Sequence, residues 1–165
     1  NQIGVEGGKA IGAALHVNSV LTSLNLSINS LCGISYFTGV GTYSAEGINA
    51  IADALRVNSV LTSLNVGVND LTEEAALGIV RAVRQQDKMT SLGLKYCRIG
   101  ASGAKEIAEY VRVSGVLTSL DLGWNDFGGG EAALREIAKD RPSLTLKADF
   151  LVLEQSLRAS LRLRP

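Results

Sequence analysis

The stretch Val17-Asn18-Ser19-Val20-Leu21-Thr22-Ser23-Leu24-Asn25 recurs without change from Val57 to Asn65. A third copy reads Val113-Ser114-Gly115-Val116-Leu117-Thr118-Ser119-Leu120-Asp121, and a divergent one covers Met89-Thr90-Ser91-Leu92. Leu61, Met89 and Leu117 are evenly spaced, whereas Leu21 stands farther from Leu61. The excess in that interval is the length of an insertion, Gly33 to Ser44. A fixed period of this length marks a stack of structural units rather than one closed core.

Each unit has two halves. The first alternates, in Leu24-Asn25-Leu26, Leu64-Asn65-Val66, Leu92-Gly93-Leu94, Leu120-Asp121-Leu122 and Leu144-Thr145-Leu146. Period two means a short strand with one buried face. In the second half Ile11 and Leu15, Ile51 and Leu55, Ile79 and Val83, and Ile107 and Val111 stand four apart, on one helix face. Small residues beside them, Ala10, Ala14, Ala50, Ala54, Ala82, Ala104 and Ala108, let helices lie close together.

Between strand and helix, Asn1, Asn29, Asn69 and Asn125 share one phase, with Cys97 in the same place in one unit. An Asn there can satisfy the backbone of a turning chain. A thiol fills the volume but donates weakly. Ile3, Leu31, Leu71, Ile99 and Phe127 follow two positions later, and Gly4, Gly100 and Gly128 stand where the chain must bend. The pattern Leu-x-x-Leu-x-Leu-x-x-Asn-x-Ile-Gly-x-x-Gly-Ala resembles the ribonuclease-inhibitor class of leucine-rich repeats. Similar repeats occur in NOD-like receptors and the Ran GTPase-activating protein. The resemblance implies an α/β horseshoe with parallel strands on the concave face and helices on the convex one. It specifies fold far more than function.

The expected organisation is a repeat array over 1–147, about four full units with partial ones at the ends, then a segment 148–165. In a shortened last interval Leu144 is expected to answer Leu120, with Pro142 closing the preceding helix. Phe150, Leu153, Leu157 and Leu161 are spaced as a helix that covers the open end or docks elsewhere, with Asp149 as its cap. Because the chain opens on Asn1 rather than Met, it reads as a piece of a longer protein.

Composition narrows the function. Sixteen basic and sixteen acidic residues cancel, without the clustered positive excess expected of a nucleic-acid binder. No apolar run is long enough for a transmembrane helix. Cys32 and Cys97 lack metal-ligand spacing, and two strand steps of about 4.8 Å hold them farther apart than a disulfide spans. Reduced thiols and an intracellular, cytoplasmic setting are expected. The one histidine, His16, shares a register column with Arg56, Arg84 and Arg112 near helix C-termini, so no Ser-His-Asp or Cys-His arrangement is expected. Thr72 with Glu73 and Glu74 behind it reads as a helix start. No phosphate-cradling glycine motif appears, and no catalytic residue, metal or cofactor is expected.

The expectation is a protein-interaction scaffold, alone or within a larger complex. The alternatives are a regulator of a partner GTPase and a structural subunit of a large assembly. Alternation turns three small, polar columns outward: Ser23, Ser63, Ser91 and Ser119; Asn25, Asn65, Gly93, Asp121 and Thr145; and Ser27, Gly67, Lys95, Gly123 and Lys147. Beside them Ile28, Val68, Tyr96 and Trp124 grow from aliphatic to aromatic, with Tyr96 and Trp124 expected to form one patch. The insertion carries Tyr36, Phe37 and Tyr43, which either anchor a partner or pack on their own corner. The candidate partner-binding residues are thus Tyr96, Trp124, Lys95, Asp121, Asn25, Asn65, Tyr36, Phe37 and Tyr43.

Overall fold

The alternating triplets become strands and the 3.6-period segments become helices. A computed structural model describes residues 1–150, so the segment expected to cover or dock, from Leu151 onward, lies outside the described residues. In chain order the elements are α1 (Gly4–Val17), β1 (Ser23–Asn25), α2 (Glu46–Leu55), β2 (Ser63–Asn65), α3 (Glu73–Gln86), β3 (Ser91–Gly93), α4 (Ala101–Val113), β4 (Ser119–Asp121), a 3-10 turn (Gly128–Gly130), α5 (Glu131–Asp140) and β5 (Thr145–Lys147). The strands form one open parallel sheet in sequence order.

Register follows the repeat through four strands: Leu24, Leu64, Leu92 and Leu120 are consecutive partners. The last strand differs from expectation. Leu120 pairs with Leu146, not Leu144, so the final interval is shortened less than the alternation implies. Lys147 therefore joins the column of Asn65 and Asp121, and Thr145 joins the serines. Sliding a strand by an even step leaves every side chain on its own face, and alternation is blind to it.

The core lies between sheet and helices. Leu64, Leu92 and Leu120 from the strands meet Ile51, Ile79 and Ile107 from the helices, all essentially inaccessible. Each such side chain contributes roughly 1.5–3 kcal/mol by burial. Helices α1 and α2 touch through small residues: a Cβ at Gly8 would lie 2.9 Å from Gly47 Cα, and one at Gly12 would lie 2.6 Å from the Ala50 carbonyl.

Polar ladders tie unit to unit. The Asn69 amide donates to the carbonyls of Leu26 and Val66, and its oxygen accepts from the backbone N–H of Asn29 and Leu31. Asn125 repeats the arrangement with Leu94, Leu122, Cys97 and Ile99. Cys97 breaks it: its thiol donates to the carbonyl of Lys95 in its own unit, at 3.5 Å, and meets the preceding unit through the backbone of Val68 alone. Both cysteines are free and wholly buried. Burial pushes the Cys32 thiol up to about 11 and the Cys97 thiol up to about 12.

Candidate functional site

The column Ile28, Val68, Tyr96 and Trp124 occupies the corner just after each strand, where all four residues adopt left-handed backbone, φ 53–58°. L-residues enter that region at a cost of roughly 1–2 kcal/mol. The Asn ladder imposes the curl, since each of these residues immediately precedes a ladder position. The same geometry throws the four side chains outward along one edge of the strand face; Trp124 is 67% exposed and Tyr96 41%.

The insertion returns to this edge. Its chain folds back on itself through an antiparallel bridge between Ile34 and Gly41 and a bond from Ser35 N–H to the Val40 carbonyl. Gly41 makes the fold possible: at φ 143° it approaches the Gly33 carbonyl so closely that a Cβ would lie 2.0 Å from the oxygen. The hairpin carries Tyr36 to Tyr96, edge to face at 5.8 Å and 87°, while Phe37 meets Tyr36 at 5.5 Å. Tyr96 has Tyr36 as its ring partner, and the Lys95 ammonium lies 5.9 Å over the Trp124 ring. Together these groups line a groove of about 220 Å³ floored by Ile28 and Val68. A second hollow of about 290 Å³, beyond Tyr96 and Trp124, is bounded by Arg98 and Asp126.

The other candidates divide. Phe37 is 74% exposed at the hairpin tip. Tyr43 points elsewhere, its hydroxyl 3.1 Å from the Thr72 hydroxyl that caps α3. It braces the insertion against the next unit. Asn25, Asn65 and Asp121 lie in the strand face, but each turns one oxygen onto the backbone N–H two positions on, at Ser27, Gly67 and Gly123. These turns fold the chain over its own strand end. Gly67 and Gly123, expected in an exposed column, are consequently buried. A Cβ at Gly67 would stand 2.8 Å from the Lys95 carbonyl. Only Lys95 and Ser27 in that column keep exposed surface among the expected residues, Lys147 having moved to its neighbour.

Several roles escaped sequence reading. Glu73 does not serve its own helix alone: its Oε1 accepts from the backbone N–H of Gly100 and Gly103, at 2.9 and 2.8 Å, capping α4 from the preceding unit. Arg141 gathers the carbonyls of Val111, Ser114 and Leu117. Asp149 likewise accepts from the Trp124 N–H at 2.7 Å, fixing the corner that presents the indole. His16 is exposed in the last turn of α1, whereas Arg112 pairs with Glu136 and Arg56 with Asp53. Among the described residues no group of acids, His and Cys is disposed to hold a metal, and no helix is long and apolar enough to cross a membrane.

Comparison with known proteins agrees with this architecture. A family model described as leucine-rich repeat matches residues 87–108 and 116–130. Among solved structures the chain is similar to leiomodin-1 actin-binding site 2. The TM-score is 0.64 at 16% identity, covering 86% of this chain and 76% of that one. At that identity the likeness carries the fold, an α/β leucine-rich-repeat solenoid. No curated protein sequence matches the chain.

Proposed function

We propose that the protein is an interaction scaffold that binds another protein through the edge where the insertion hairpin meets the aromatic column. One observation carries this reading. The hairpin delivers Tyr36 onto Tyr96 across two units, leaving an aromatic groove beside a 67% exposed tryptophan. Exposed aromatics on a preorganised backbone are efficient anchors, because little conformational freedom is lost when a partner covers them. Here the backbone is locked by the Asn ladder, so the rings are presented before any partner arrives. The leucine-rich-repeat fold supports binding over catalysis, and the two buried, free thiols suit a reducing, intracellular compartment.

The test is a photo-cross-linking amino acid placed at position 124 and, separately, at Glu109, exposed on α4 away from the groove. A discrete adduct formed from position 124 and absent from position 109 supports the reading. Equal labelling from both, or labelling from 109 alone, refutes it. Trp124→Ala is expected to weaken the same complex at least tenfold while leaving the circular dichroism and the denaturation midpoint unchanged.

A further inference from the structure

The groove has a chemical polarity that narrows what fits it, and the inference drawn from that polarity rests on the proposed binding edge. Its walls are Ile28, Val68, Tyr36, Tyr96 and Trp124, and its one charged wall is Lys95. Lys95 forms no ion pair among the described residues. Asp121 gives one oxygen to the Gly123 N–H and Asp149 one to the Trp124 N–H, and neither carboxylate comes within 4.0 Å of the Lys95 ammonium. The phenols of Tyr36 and Tyr96 and the indole N–H of Trp124 have no hydrogen-bond partner among the described residues. Every unsatisfied polar atom on the wall can therefore donate, and none is a carboxylate. On the far side of Tyr96, by contrast, Arg98 is neutralised by Asp70.

Shape points the same way. The adjoining hollow shares Tyr96 and Trp124 with it, so two side chains of one segment can straddle the ring pair. We infer that the groove takes a short peptide segment of the partner that carries apolar side chains next to a carboxylate. The apolar groups lie against Ile28, Val68 and the rings, and the carboxylate meets the Lys95 ammonium. Lys95 acts as the selector, because an acid pairs with it whereas a cation against it would be repelled.

Trp124 is the chain's one tryptophan, so its emission reports on this site alone. The full chain is titrated with three blocked hexapeptides: alternating leucine and aspartate, alternating leucine and lysine, and alternating serine and aspartate. The expected result is saturable change with the leucine–aspartate peptide, at least tenfold weaker binding of the other two, and a reversed aspartate/lysine preference in Lys95→Glu. Comparable binding of the aspartate and lysine peptides, or a preference unmoved by Lys95→Glu, overturns the selector role. Comparable binding of the serine peptide overturns the apolar requirement, and no response from any peptide overturns the whole inference. In each of these cases the cross-linking result at position 124 still decides separately whether the edge binds protein.

Discussion

At the scale of the residue, the ladder and the corner it enforces are in tension. Asn69 makes bonds to two units at once, and in return Ile28 and Val68 stand at φ 58°, the region least suited to β-branched side chains. Asn tolerates left-handed backbone far better. Ile28→Asn is therefore expected to raise stability by about 1 kcal/mol, the relief of strain outweighing a partly exposed side chain. It would appear as a higher urea midpoint at unchanged m value; a lower midpoint would show the corner to be unstrained. The two buried thiols give a second residue-scale expectation. Their pKa values rise from 9.0 to about 11 and about 12 because the anions would be desolvated. The unfolded chain thus loses these protons first as pH increases. Their contribution is whole below pH 9 and is lost as pH climbs through 11 to 12. Wild-type stability should fall more steeply over that window than that of a Cys32→Ala, Cys97→Ala variant, and parallel curves would contradict this.

At the scale of the element, small residues decide how closely helices stack. Gly12 sits so near Ala50 that any Cβ must displace backbone, not a flexible side-chain end. Gly12→Val is expected to cost about 2–3 kcal/mol by overpacking, read from thermal unfolding. By contrast Gly78 on α3, with open space around it, should accept Ala without loss. Elements were the most legible level of the sequence. Period two marked each strand and period 3.6 each helix, because both record which side chains must leave water. What stayed hidden was anything alternation cannot encode. Leu144-Thr145-Leu146 looks like Leu120-Asp121-Leu122, yet the pairing is displaced so that Leu146 answers Leu120. Of the candidate site, the corner column and Lys95 could be read from register. The closure of Tyr36 on Tyr96 could not, since it depends on a hairpin spanning no repeat. Nor could the burial of Gly67 and Gly123, which follows from side chains bonding locally to backbone at the strand ends.

At the scale of the whole molecule, stability in a solenoid is approximately a sum of unit terms and seams between neighbours. The seams here are not chemically alike. Asn69 sews the unit of β1 to that of β2, and Asn125 sews the unit of β3 to that of β4. Between β2 and β3 the ladder position is Cys97, whose thiol donates to the Lys95 carbonyl of its own unit and meets the β2 unit only through the backbone of Val68, without the paired carboxamide bonds of Asn69 and Asn125. That middle seam leans instead on carboxylates: Glu73 capping α4, Arg81 bridging to Glu106, and Arg98 to Asp70. Exposed ion pairs contribute little, typically below about 1 kcal/mol. The Glu73 cap, which satisfies two helix-end N–H groups, is the stronger link. Glu73→Ala is expected to cost about 1–2 kcal/mol. More tellingly, it should speed hydrogen exchange in the first turn of α4 and at β3 while leaving β1 protected. Adding Cys97→Asn to that variant restores the missing ladder step. By register with Asn69 and Asn125, its carboxamide faces the N–H groups of Asn69 and Leu71. It should recover most of the loss and return the protection at β3. Uniformly faster exchange along the chain, with no rescue by Cys97→Asn, would mean that the array unfolds as one unit indifferent to its seams.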